Sequence, residues 1–343
     1  MVQISDDTIW HTNKRKEIIE KYPQVRQYQK PYQFSIIFII FLVFIQFIIG
    51  YFIQIFDLSF ITIGLISFIN ANSLYHSFAS FIHENSHGLV LGINNQVFVS
   101  YIIELGLSSF GGHRNYEITH KRNHHSSLNI KEIDSECTHK AHMTNLTNIV
   151  SNPFLNRLLF LVDLLPFGSI IMQEIGKSKL SNKDKEEIAN LNQYFKIKNS
   201  DLIHKNIMLL STSFIFIYLI KLQFYKFILF KIWTSSIYQG KFSIFRRGQS
   251  ISEHYATDYN LTIPTQSTYG FLSNLLGFNT GYHDEHHTFP TVPWIHLPKL
   301  KRIAPEYFNN ENKESYFYLW YKWFQSDFKN TFYRNCEVEV KEE

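Results

Sequence analysis

The chain has 343 residues, with 33 Lys and Arg against 29 Asp and Glu, a formal charge of +4. That mild balance argues against an electrostatic nucleic-acid binder. The two cysteines, Cys137 and Cys336, exclude a disulfide framework and a thiolate metal site. Residues 1–30 read as a polar arm, helical around Lys14 to Lys21, with Lys14, Arg15, Lys16, Lys21, Arg26 and Lys30 all ahead of the first apolar run. By the positive-inside rule this arm is cytosolic. The first apolar run starts too late and is too long for a secretory signal. Val2 excludes N-myristoylation.

No charged residue occurs from Pro31 to Phe56, and none from Leu58 to His83. Each run exceeds the ~20 residues a helix needs to cross the hydrocarbon core. The pattern predicts a hairpin of spans over 32–56 and 58–82. A buried hairpin in a soluble protein is the competing reading, but soluble helices seldom stay uncharged for so long. Gly88 to Gly112 is apolar but interrupted by Asn94, Asn95 and Glu104, and predicts an interfacial or re-entrant helix. Residues 153–175, with Arg157, Asp163 and Pro166, predict another interfacial helix, and 177–199 a polar linker. A second apolar pair runs from about 204 to 245, clean from Asn206 to Ile220 and then studded with Lys226 and Lys231. The expected fold is an all-α integral membrane protein of about four transmembrane helices plus interfacial helices. Its expected organisation is an arm (1–30), a membrane domain (31–325) and a polar tail (326–343).

Three histidine clusters lie at the edges of these segments: His83 with His87, His120 with His124 and His125, and His283 with His286 and His287. A single HxxxH arises often by chance; three boxes, two ending in paired histidines, do not. Imidazole binds first-row transition metals well. Residues i and i+4 share a helix face. His83 and His87 are therefore expected at one metal, His120 and His124 at one metal with His125 one position round, and His283 and His286 as i, i+3 neighbours with His287 beside them. Four imidazoles complete a zinc site, and a catalytic zinc uses about three. Eight predict two ions with open positions. An even number of spans before each box returns all three to the cytosolic side as a di-metal cap. His254, after the fourth apolar segment, is a ninth candidate, with a hydrogen-bonded surface histidine as the alternative. His11, His113, His139, His142, His204 and His296 read mostly as solvent-facing or structural. His76 sits inside an uncharged run, seven residues before His83, where a polar group lines a cavity or is hydrogen-bonded.

These boxes resemble those of the membrane fatty-acid desaturase superfamily, and most closely the sphingolipid delta-4 desaturases. The similarity extends to Lys14–Pro23 in the arm, to His76-Ser77, and to Phe278–Pro290 around the third box. Leu297-Pro298, Ile303-Ala304 and Glu306-Tyr307 continue it. The resemblance implies a di-iron centre on the nine histidines and O₂-dependent desaturation of dihydroceramide or sphinganine. It also implies electrons from cytochrome b5 and its reductase, and residence in the endoplasmic reticulum membrane. His76 and Asn279 are then expected to line the substrate cavity. Box two departs from that subgroup, being HxxxHH where HxxHH is usual. Gln249 stands where the subgroup has a histidine, and the stretch after box two is altered although Leu128, Asp134 and Glu136 remain. Carbon-4 hydroxylation, alone or with desaturation, and desaturation of another acyl lipid are the alternative reactions. The non-enzymatic alternative is a histidine-rich metal transporter, whose site is expected at the bilayer midplane between repeats; these boxes sit at segment ends and no repeat is evident. Lys299, Lys301 and Arg302 are expected either to dock an acidic partner or to form a solvated basic face.

Overall fold

The computed structural model describes residues 4–130, 133–134, 152–178, 182, 196–254 and 263–325. The expected tail 326–343, most of the linker 177–199, and Cys137, Cys336, His139, His142 and Glu136 lie outside these residues. The described residues form helices and loops, with a single isolated parallel bridge between Ser267 and Glu311.

Helix α1 spans Asp6–Lys21. Ser5 caps it, its hydroxyl accepting from Thr8 N, and Asp6, Asp7 and Lys21 complement the helix dipole at the two ends. Helix α2, Ser35–Ile55, is a 21-residue apolar run. Helices α3 (Phe60–Ala71) and α4 (Leu74–Ser86) follow, then α5 (Gln96–Leu107) and α6 (His113–Thr119). The later chain forms helices at Pro153–Phe160, Gly168–Ser178, Asn199–Lys221, Tyr225–Gln239, Ile244–His254, Phe271–Leu276, His283–Thr288, Leu297–Ile303 and Tyr316–Gln325.

The run expected as one continuous span over 58–82 is interrupted: the helix stops at Ala71 and restarts at Leu74. Asn72 explains the break. Its Nδ2 donates to Phe68 O (3.1 Å) and Phe242 O (3.2 Å), and its Oδ1 accepts from Ile244 N at 2.6 Å. The side chain thus caps the start of Ile244–His254 from another helix, satisfying an amide that has no partner within its own helix. Helices α3 and α4, at 12 and 13 residues, are each short of a full crossing. Two helices among the described residues are long and apolar enough to cross a membrane: Ser35–Ile55 and Asn199–Lys221, with mean hydropathies of 2.9 and 1.5. The second member of the later apolar pair is the 15-residue Tyr225–Gln239. Its Lys231 is buried and donates to Gly106 O, and Lys226 pairs with Asp57 at 2.5 Å.

Ile53, Ile63, Ala71, Phe230, Trp233 and Ile237 form the core between α2, α3 and Tyr225–Gln239. The Trp233 ring lies against Gly64, where an added Cβ would stand 2.7 Å from it. Inside this apolar bundle Gln46 and Asn70 exchange amide hydrogen bonds of 2.8 and 2.9 Å, so neither buried amide is orphaned. The outer faces carry Phe41, Phe44, Phe52, Ile61 and Leu65, all exposed. A contiguous apolar face of that kind suits lipid and not water.

Candidate metal centre

Box one lies on the last turns of α4, where the Cβ vectors of His83 and His87 share a face. The chain turns away at Gly88, whose φ of +73° and close approach to the Ile93 backbone favour a residue without a Cβ. Box two departs from α-geometry. His120–His124 is a π-helical turn, with His125 N donating to His120 O at 3.1 Å. The extra residue in the turn brings His125 round over His120, their Nε2 atoms 3.0 Å apart, and sends His124 the other way. Box three opens a short helix, His283–Thr288, and His254 ends the helix Ile244–His254.

The nine imidazoles gather in two groups. His83, His87, His120, His125 and His286 form one, and His124, His254, His283 and His287 the other, with the ligand-type atoms of each group within 4.8 Å of one another. Two expected pairings are therefore corrected. His120 goes with His125 and not with His124, because of the π turn. His283 goes with His287, its i+4 neighbour, while His286 faces the other group.

The donor set fits metal ions. Nε2–Nε2 separations are 2.9 Å for His254–His283, 3.2 Å for His124–His287 and 3.1 Å for His125–His286. Nitrogens held at right angles on one cation at ~2.1 Å stand ~3.0 Å apart. His87 Nε2 is buried with no hydrogen-bond partner among the described residues. Burial, reinforced by neighbouring imidazoles, holds His87, His125, His286 and His287 well below the usual histidine range, so they stay neutral with lone pairs available.

Carboxylates orient the four-histidine group. Asp134 Oδ1 lies 2.9 Å from His124 Nδ1, both side chains fully buried, and Asp134 Oδ2 accepts from Asn129 N. Glu253 Oε1 lies 3.5 Å from His283 Nδ1 and accepts 2.7 Å from Gln249 Nε2. Such partners fix the tautomer that turns the Nε2 lone pair toward a metal. The roles of Asp134, Glu253 and Gln249 escape a reading by spacing; the local signal available was the acidic neighbour in Glu253-His254.

His76 joins neither group. It is 1% exposed, its ring nitrogens meet no donor or acceptor in hydrogen-bond geometry among the described residues although the Gln249 amide lies near, and its ring packs between those of Tyr238 and Phe245. Asn279 occupies the turn before box three at φ +58°, and its Nδ2 donates to Trp294 O at 3.2 Å. His113 is buried beside Glu104 (3.1 Å) as a structural residue. His204 and His296 are half-buried, against Tyr101 and Tyr28. His11 is buried, with its ring 5.4 Å from that of His287. Within the basic cluster, Lys301 donates to Phe308 O and Lys299 lies 5.2 Å over the Tyr28 ring, which leaves Arg302 as its exposed member.

The fatty acid desaturase family profile matches residues 58–320. The chain is 26% identical over 314 residues to the sphingolipid delta(4)-desaturase DES1 of Gallus gallus, covering 88% of this chain and 83% of that protein. Identity to the Homo sapiens sphingolipid delta(4)-desaturase DES1 is 24% over 315 residues, with the same coverage. A 63-residue stretch, 18% of this chain and 18% of the relative, is 51% identical to the sphingolipid delta(4)-desaturase DES1-like protein of Oryza sativa subsp. japonica. No solved structure matches. Since the matched segment holds all three boxes and His254, the chain belongs to the fatty acid desaturase family.

Proposed function

We propose that this chain is an O₂-dependent sphingolipid delta-4 desaturase that converts dihydroceramide or sphinganine to the 4-unsaturated product. Two iron ions would be held by the nine histidines, in the endoplasmic reticulum membrane, with the boxes facing the cytosol. The observation that carries this reading is the separation of the nine imidazoles into groups of five and four, in a chain similar to named sphingolipid delta(4)-desaturases along most of its length. None of the nine lies in Ser35–Ile55 or Asn199–Lys221, which disfavours a transport site at mid-membrane.

Bound there, two irons would supply the O₂ chemistry, in which O₂ goes to two waters with two electrons and two protons from the cytochrome b5 reductase chain and solvent and two hydrogens from adjacent methylene carbons. The protein holds and shields. Asp134 and Glu253 fix the rings of His124 and His283. Phe81, Phe278 and Trp294, with ring centroids 4.5 to 5.0 Å apart along the series, form an aromatic wall beside box one that excludes water. Asn279 sets that wall by holding Trp294 O, a role we assign it in place of direct contact with lipid. His76, buried beside Tyr238, Phe245 and the Gln249 amide, is the group we assign to a substrate oxygen.

Lipid mass spectrometry of cells expressing the chain tests the reading. Accumulation of 4-unsaturated long-chain bases is expected. Accumulation of 4-hydroxylated bases alone would replace desaturation by hydroxylation. Metal analysis of purified protein should return two irons, and one zinc without iron would remove the di-iron centre.

A further inference from the structure

The polar arm does not stand apart from the histidine centre. Helix α1 lies across boxes two and three and is fastened to both. Thr8 Oγ1 donates to the carbonyl of His125 (3.1 Å), and Asn129 Nδ2 donates to Asp7. His11 places Nδ1 3.1 Å from Thr288 Oγ1 and Nε2 3.2 Å from Thr265 Oγ1. Lys14 Nζ donates to Asp284 Oδ2 at 2.7 Å, with both side chains buried. The ammonium also lies 4.7 Å from the Trp10 ring centroid and 4.6 Å from that of Phe308. A lysine enclosed by two rings and a carboxylate has lost its water, and the carboxylate is its main compensation. Asp284 follows His283 of the four-histidine group and precedes, by two residues, His286 of the five-histidine group. Whatever holds Asp284 holds the backbone between the two groups.

We propose that α1 is a strap closed over the histidine centre, and that Lys14 acts through Asp284 as a positioning residue that holds box three against box two. The proposal rests on reading the nine histidines as a metal centre. Its test keeps the two apart.

Full-length wild type, Lys14→Met and Lys14→Arg are purified, and metal per chain is followed during challenge with a chelator. Lys14→Met is expected to hold metal about 10-fold more weakly than wild type, the low end of the ~10- to 100-fold cost in affinity for removing a direct partner of a metal ligand, because Lys14 acts through Asp284. Lys14→Arg, which keeps the charge, is expected to restore most of the retention. Folded Lys14→Met that keeps its metal as wild type does overturns the strap and leaves the metal centre standing. Wild type that takes up no first-row metal overturns both. Hydrogen exchange on the wild-type protein gives a measurement independent of any variant. Amides of Asp6–Lys21 should exchange faster once metal is stripped, and exchange unchanged by stripping counts against the strap.

Discussion

The two histidine groups differ in how the chain builds them. The five-histidine group takes both members of box one, two of box two and one of box three; the four-histidine group takes one of box two, two of box three and His254. Box one serves a single group, whereas boxes two and three are each divided between both. The divided boxes are also the two that α1 fastens. Divided boxes couple the groups: a movement of either one displaces donors in both. The groups also differ in redundancy, since losing one donor leaves four imidazoles in one and three in the other.

That asymmetry ranks the substitutions. The largest effect is expected from His254→Ala, which leaves the four-histidine group with three donors; one ion per chain and no product should result. His87→Ala should retain more metal, because four imidazoles remain. Equal loss of metal in the two variants, measured by elemental analysis of folded protein, would break the comparison. Asp134→Asn should come next, weakening one of two ions about 10- to 100-fold while the other holds, as removal of an orienting carboxylate does elsewhere. Uniform weakening of both ions would mean that Asp134 supports the fold and not one group. The smallest effect is expected from deleting Lys121, an exposed residue within the π turn. The deletion makes box two HxxHH, and a regular α-turn then sets His120 and His125 at i, i+4. Metal content should stay near wild type. Loss of both ions would show that the π turn does more than absorb one residue.

Much of the centre was legible in the sequence, and the unread part has a physical cause. Clustering picked out eight of the nine histidines that the structure brings into two groups, and His254 was a candidate by its place after the fourth apolar segment. Their division was not legible, because spacing assumes an α-turn and His120–His124 is a π turn. Hydropathy marked the run over 58–82 but not its break, which depends on Asn72 bonding to amides some 170 residues later. Ser35–Ile55 and Asn199–Lys221 were readable because their signal is local composition. His11 read as unremarkable for the opposite reason: its partners, Thr265 and Thr288, lie 254 and 277 residues away.

The contact between Lys14 and Asp284 has a consequence for how the protein is made. The two residues are 270 positions apart. At about 5–20 residues per second, a ribosome needs roughly 15–50 s to travel between them. During that interval α1 exists without its carboxylate partner, and box two without the histidines that box three adds to its two groups. Box three must then emerge and be enclosed under a helix already present, so closure is a late event in biogenesis. For the proposed metal centre, that window would let ions enter without passing through a finished wall.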